Sequence, residues 1–82
     1  MSTKEGILGL LPSGRWAVCI AGETPEEITS GDQFYIEVPG AGAMELTRME
    51  YGHIKGRGQY YSVDGHQLRA GLRAAFVGGR YF

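Results

Sequence analysis

The chain has 82 residues and a formal net charge of −1, with 43% hydrophobic and 21% charged residues. This composition is ordinary for a globular protein and excludes disorder along the whole chain. The charge excludes a global positive field that would attract nucleic acid or a membrane surface. We therefore expect a single domain with a small core, in which residues 6–77 form the fold and residues 1–5 and 78–82 are tails.

The glycine and cysteine content indicates the fold class and the cellular compartment. The chain has 14 glycines, twice the usual share of about 7%, which favours short strands joined by tight turns and hence an all-β fold. The single cysteine, Cys19, excludes an internal disulfide. No apolar run reaches the ~18 residues of a membrane span, and the first residues do not resemble a signal peptide. We predict a soluble protein of the bacterial cytoplasm or of another reducing compartment.

The first two elements are predicted to form a β-hairpin. Apolar runs at residues 7–11 and 15–21 flank the turn Pro12-Ser13-Gly14, whose proline and glycine suit a short hairpin loop. Pairing Leu11 with Arg15 places apolar residues opposite each other on one face. These cross-strand pairs are Leu10 with Trp16 and Leu8 with Val18.

The next stretch combines a helix-start pattern with a strand pattern. Thr24, Pro25 and Glu27 have the spacing of a helix N-terminus, and Gly31 follows closely, so we predict one helical turn. Residues 33–38 then alternate strictly and predict a strand. Its inward side chains are Phe34, Ile36 and Val38.

Residues 44–51 and 59–63 are predicted to form a second hairpin around a basic, glycine-rich loop at residues 52–58. This loop length places Met49 opposite Tyr61, and on the outer face it places Glu50 opposite Tyr60 with Arg48 diagonal to it. The alternation breaks within residues 44–51, which predicts a bulge or a sharp bend near Thr47 and Arg48. Either feature would turn four side chains inward: Met44, Leu46, Met49 and Tyr51.

The last third has two interpretations that periodicity alone does not separate. Asp64 and Gln67 have the spacing of a capping box, and apolar residues follow at helical spacing, which predicts a helix over about residues 65–77. Alternatively, a turn at Asp64 precedes a strand that directs Leu72, Ala74 and Phe76 inward. The helical alternative makes the fold α+β, an antiparallel sheet with a C-terminal helix.

Five short motifs have a spacing that resembles a known family. They are Gly14-Arg15-Trp16-Ala17-Val18, Ser30-Gly31-Asp32 with Ile36-Glu37-Val38, Thr47-Arg48-Met49-Glu50-Tyr51, Tyr60-Tyr61 and Gly71-Leu72. Over residues 7–77 the chain resembles small uncharacterised bacterial domains of unknown function, which resemble SH3-like barrels. The resemblance implies an SH3-like barrel of five to six short strands, with residues 72–76 as a strand, and it implies no activity. Tyr60 stands where a tryptophan is expected in such a domain.

The expected function is binding. Trp16 and the tyrosines give the chain more aromatic residues than a small core requires, and aromatic residues concentrate at protein interfaces. We therefore predict a protein partner or a homodimer, with Tyr81 and Phe82 as an aromatic tail that closes the dimer. The alternative is single-stranded nucleic acid, whose bases stack on exposed aromatics beside arginine and lysine. The candidate binding surface is Tyr35, Arg48, His53, Lys55, Arg57 and Tyr60.

Catalysis, metal binding and cofactor binding are not predicted. Cys19 falls in the middle of a predicted strand opposite Ile7, where a small apolar residue is expected. His53 and His66 are separated by 13 positions and lack the companion ligands of a zinc site. The glycines at positions 40, 42, 56 and 58 form no phosphate-binding motif. We expect a protein that is not an enzyme.

Overall fold

The computed structural model describes residues 4–78, which form seven antiparallel β-strands and no helix. The all-β prediction is confirmed. The α+β alternative is wrong, because the residues predicted as a C-terminal helix end in a strand. The strands are β1 (Lys4–Leu10), β2 (Trp16–Cys19), β3 (Glu26–Ile28), β4 (Gln33–Val38), β5 (Ala43–Ile54), β6 (Arg57–Ser62) and β7 (Arg73–Gly78).

The strands form one sheet in the order β3-β2-β1-β7-β4-β5-β6. The last strand lies in the middle, where β7 pairs with β1 on one side and with β4 on the other. The sheet curls, since β2 and β3 also contact β7 without pairing with it. The result is a compact, barrel-like body with a radius of gyration of 12.1 Å, built from seven strands rather than the five to six expected.

The core lies on one face of the curled sheet, here called the inner face. The first hairpin has the predicted register, with Leu8 opposite Val18 and Leu10 opposite Trp16. Strand β4 buries Phe34 completely, as its alternation predicts. Leu72 and Phe76 pack against the core from the last strand and the segment before it. The fully buried core residues are Leu8, Val18, Ile28, Phe34, Ile36, Met49 and Ala74.

The predicted helical turn after Thr24 is absent, and β3 occupies its place. Glu26 pairs with Val18 and Ile28 pairs with Trp16, which buries Ile28 completely. Local helix-start signals are weak compared with the burial of a large side chain. The turn comes after β3 instead, where the backbone N–H and hydroxyl of Thr29 donate to the Asp32 carboxylate at 2.9 and 3.0 Å.

The predicted bulge near Thr47 and Arg48 is absent from the β4–β5 pairing, and the four side chains do not all turn inward. Strand β5 pairs with β4 without interruption from Ala43 to Arg48, so Leu46 faces outward and is 45% exposed. Thr47 is buried in its place, because its hydroxyl lies 2.7 Å from the hydroxyl of Ser62 and is thereby satisfied. A buried threonine in this position restores simple alternation.

The folded region is slightly longer than predicted. Lys4 and Glu5 belong to β1 and pair with β7, and Gly78 belongs to β7. The predicted aromatic tail at Tyr81 and Phe82 lies outside the described residues. Within residues 4–78 no helix could cross a membrane.

Candidate functional site

The β5–β6 hairpin differs from its predicted form, and the difference rearranges the candidate surface. The predicted loop at residues 52–58 is a strand ladder closed by a two-residue turn, with Ile54 opposite Arg57. Lys55 and Gly56 form the turn with φ angles of 53° and 80°, the positive values that a type I′ turn requires. The shorter turn shifts the register by one residue, so Met49 lies opposite Ser62 and Tyr51 lies opposite Tyr60.

The register places Tyr60 on the inner face, away from Arg48. Met49, Tyr51 and His53 alternate along one face of β5, and their partners on β6 include Tyr60 and Ser62. Arg48 lies on the opposite face, where its Nε donates to the Glu50 carboxylate at 2.7 Å. The predicted Arg48 and Tyr60 surface is therefore wrong.

Tyr35 lies on the outer face of the sheet. It pairs with Leu46 on β5 and with Ala75 on β7, and it lines an open depression together with Glu5 and Met44. The hairpin residues of the candidate surface are on β5, β6 and the turn between them. Tyr35 and Arg48 lie on the outer face and Tyr60 lies on the inner face, so the six predicted residues do not form one surface.

The tip of the β5–β6 hairpin retains three of the predicted residues. His53, Lys55 and Arg57 are exposed there. Neither Lys55 nor Arg57 makes an ion pair with any of residues 4–78. Elsewhere, by contrast, three cations form ion pairs with nearby glutamates: Lys4 with Glu23, Arg15 with Glu27 and Arg48 with Glu50. The tip therefore carries positive charge that is not compensated by an ion pair within the described chain.

A groove lies between this hairpin and the turn of the first hairpin. Its volume is about 400 Å³, within the range of small-molecule pockets. We call it the aromatic groove. The first hairpin contributes Leu10, Ser13, Gly14 and Trp16, and the second contributes Tyr51, Gly58, Gln59 and Tyr60.

The aromatic rings of the groove are held in a defined arrangement. Tyr51 and Tyr60 meet edge to face, with ring centroids 4.8 Å apart and an interplanar angle of 64°. The ring of His53 lies 6.3 Å from that of Tyr51, also edge on. Such pairs are favoured by the quadrupole of aromatic rings. Neither Tyr51 nor Leu10 belongs to the buried core, and their side chains are 50% and 56% exposed.

Of the eight residues that line the groove, only Tyr60 was predicted as a site residue. Leu10 was expected to pair inward, and Trp16 and Tyr51 were expected in the core. All three lie on the inner face, where Trp16 packs against the core while Leu10 and Tyr51 are about half exposed. A usable signal was Gly58, since a glycine on a strand leaves room for a large neighbouring ring.

The chemistry of the groove is that of recognition by contact and hydrogen bonding. It offers aromatic faces, phenol hydroxyls and the Ser13 hydroxyl. Within residues 4–78 no group of three or more histidine, cysteine, aspartate or glutamate side chains could hold a metal ion. His66 does not line the groove; its Nε2 lies 3.3 Å from a carboxylate oxygen of Glu45.

Comparison of the chain with protein-family models, curated proteins and solved structures gave no match. The resemblance to bacterial SH3-like domains therefore stays a prediction from the motifs of the chain.

Proposed function

We propose that the protein is a non-catalytic binding module that holds a short segment of a protein partner in the aromatic groove. The observation that supports this proposal is the convergence of Leu10, Trp16, Tyr51 and Tyr60 from two distant hairpins on one concave surface. Aromatic-lined grooves are a common means by which small domains bind extended peptides. An apolar or aromatic side chain of the partner would fill the space between these rings.

The uncompensated charge at the hairpin tip indicates the chemistry of the partner. Lys55 and Arg57 are exposed and lie at one end of β6, whose residues Gly58, Gln59 and Tyr60 line the groove. A carboxylate on the bound segment would find two cations there that have no ion pair in the described chain. The proposed ligand is therefore an apolar segment with an acidic residue at the end that lies near the tip.

Single-stranded nucleic acid is the second candidate. Tyr51, Tyr60 and Trp16 could stack bases while Lys55 and Arg57 contact phosphates. Ion pairs hold Lys4, Arg15 and Arg48, so four of the seven described lysines and arginines remain for a backbone that needs many. Binding of single-stranded DNA or RNA that weakens by orders of magnitude between about 50 and 200 mM salt would favour this candidate and reject the peptide proposal.

The proposal is tested by selection of peptides from a phage-displayed library of random 12-residue sequences. The two matched variants are Leu10→Ser, in the groove, and Leu46→Ser, on the outer face. Both leucines are about half exposed, at 56% and 45%, so neither substitution should disturb the core. Loss of a leucine contact of about 1.5 kcal/mol or more corresponds to about a tenfold weaker affinity.

We expect acidic, apolar peptides that lose affinity with Leu10→Ser and keep it with Leu46→Ser. Failure to enrich any peptide, or peptides that bind both variants equally, would reject the aromatic groove as a peptide site.

The predicted binding partner could also be a second copy of the chain, which would make the protein a homodimer. Sedimentation of the full chain and of a shortened chain ending at Gly79 tests the predicted role of the aromatic tail. A dimer that is lost on shortening would support that role, and identical sedimentation would reject it. The cytoplasmic location also stays a prediction.

A further inference from the structure

Strand β6 lies at one edge of the sheet. It pairs with β5 along one edge, and along its other edge it pairs with no described strand. The two-residue turn fixes which of its backbone groups bond to β5. Ile54 with Arg57, Gly52 with Gln59 and Glu50 with Tyr61 are the hydrogen-bonded pairs, because such pairs alternate from the turn. The Val63 N–H continues the same series and donates to the Arg48 carbonyl at 3.0 Å.

The alternate residues of β6, Gly58 and Tyr60, therefore direct their N–H and C=O groups away from β5. No backbone or side-chain group of residues 4–78 bonds to them. The same two residues line the aromatic groove. The open backbone edge of β6 therefore belongs to residues that also line the aromatic groove.

We infer that the bound segment adds to β6 as an eighth strand, with its backbone bonded to Gly58 and Tyr60. This inference rests on the proposed function and specifies how the ligand is held. Strand addition at an exposed edge derives affinity from main-chain bonds and specificity from alternate side chains. Alternate side chains of the added strand would face the same side as Tyr51 and Tyr60.

A segment of a partner protein fits this site better than a second copy of the chain. Residues 57–62 contain one arginine and no acidic residue, so pairing of two β6 strands would bring no carboxylate to Lys55 or Arg57. The groove also has a second wall, formed by Ser13, Gly14 and the residues around them. A space of about 400 Å³ suits a few residues of extended chain rather than the edge of another barrel.

Amide hydrogen exchange, measured by NMR on the intact protein, tests the inference. The probe is the tightest-binding peptide from the phage selection. In the free protein we expect rapid exchange at Gly58 and Tyr60, and slower exchange at Gln59 and Tyr61, whose amides bond to β5. Saturation with the peptide should slow exchange at Gly58 and Tyr60 by about tenfold or more.

N-methylation of the peptide, one amide at a time, provides the complementary measurement. A strand bonded to β6 loses affinity at every second position and keeps it at the positions between, because only alternate amides face β6. The unaffected positions are the matched controls for the affected ones.

The outcomes separate the two proposals. A peptide that binds with the Leu10→Ser dependence described above, but without added protection at Gly58 and Tyr60 and without alternation, would overturn strand addition and leave the groove as a peptide site. Absence of any peptide binding overturns both. Protection of these amides in the free protein that rises with protein concentration would assign the edge to a second copy and overturn the inference.

Discussion

The ring of Tyr51 lies over Gly58 on the neighbouring strand. A Cβ atom placed on Gly58 would come within 2.8 Å of the Tyr51 Cζ atom, so any larger residue there requires the Tyr51 ring to shift. The same tyrosine meets Tyr60 at 4.8 Å. The absent side chain at Gly58 therefore determines where one wall of the aromatic groove stands.

Substitution Gly58→Ala should displace Tyr51 and lower stability by about 1 kcal/mol, since overpacking costs more than the alanine gains in chain entropy. Gly52→Ala is the matched control on the same hairpin, because its Cβ would meet Tyr61 at a more tolerable 3.3 Å. Urea unfolding of both variants measures the difference. Equal stabilities would show that Tyr51 does not depend on Gly58.

The hairpin turn holds a lysine in a conformation that favours asparagine or glycine. Lys55 has a φ angle of 53°, and the left-handed region costs an ordinary residue about 1 kcal/mol. We expect Lys55→Asn to stabilise the protein by roughly 0.5–1 kcal/mol, since Asn-Gly is the preferred type I′ sequence. Lys55→Ala removes the same charge without that gain, and a similar rise in its urea midpoint would contradict the turn assignment.

The buried hydroxyls of Thr47 and Ser62 satisfy each other at 2.7 Å. Thr47→Val should therefore cost about 1–2 kcal/mol, because it leaves the Ser62 hydroxyl without that partner. Adding Ser62→Ala should cost less in the Thr47→Val background than in the wild type. A double-mutant cycle in urea measures this coupling, and strictly additive effects would show that the two hydroxyls do not interact.

Arg48 should contribute little to the stability of the fold and nothing to the affinity for a peptide in the aromatic groove. Its ion pair with Glu50 is exposed at the surface, and such pairs are worth about 0.2–1 kcal/mol. Arg48→Ala should leave the affinity for a selected peptide unchanged, whereas Arg57→Ala should weaken it modestly and in a salt-dependent way. Isothermal titration at two salt concentrations distinguishes them. Equal losses of affinity in the two variants would indicate that the ligand contacts both faces of the hairpin.

The first hairpin and β4 were predictable from sequence for a physical reason. Their alternation is strict and the turn at Pro12-Ser13-Gly14 is short, so a single register buries the apolar residues. The pairs of Leu8 with Val18 and Leu10 with Trp16 follow directly. For β7 the pattern left helix and strand open, and only the resemblance implied a strand, because the neighbouring residues Ala74 and Ala75 are both buried and give no clean alternation.

The second hairpin was predicted with the wrong register because a lysine gives no sequence signal for the positive φ angle that Lys55 adopts. The three glycines Gly52, Gly56 and Gly58 favour a long loop, whereas the turn of the structure consists of Lys55 and Gly56 alone. A shift of one residue moves every side chain to the opposite face. Tyr60 therefore moved from the predicted outer surface to the aromatic groove.

The groove itself could not be read from any one segment. Trp16 and Tyr60 are 44 positions apart in the chain, and they line one groove only because the sheet curls. Sequence patterns identify which face a residue occupies, but not whether another strand covers that face.

Fluorescence of Trp16 tests the central claim most directly, because it is the single tryptophan of the chain and it lines the groove. The measurement is a titration of the wild-type protein with the selected peptide, chosen without tryptophan, alongside the anisotropy of the same peptide carrying a label. The account predicts a blue shift in the Trp16 emission that saturates in parallel with the anisotropy. Saturation of the anisotropy with no change in the Trp16 emission would place the ligand elsewhere and contradict the account.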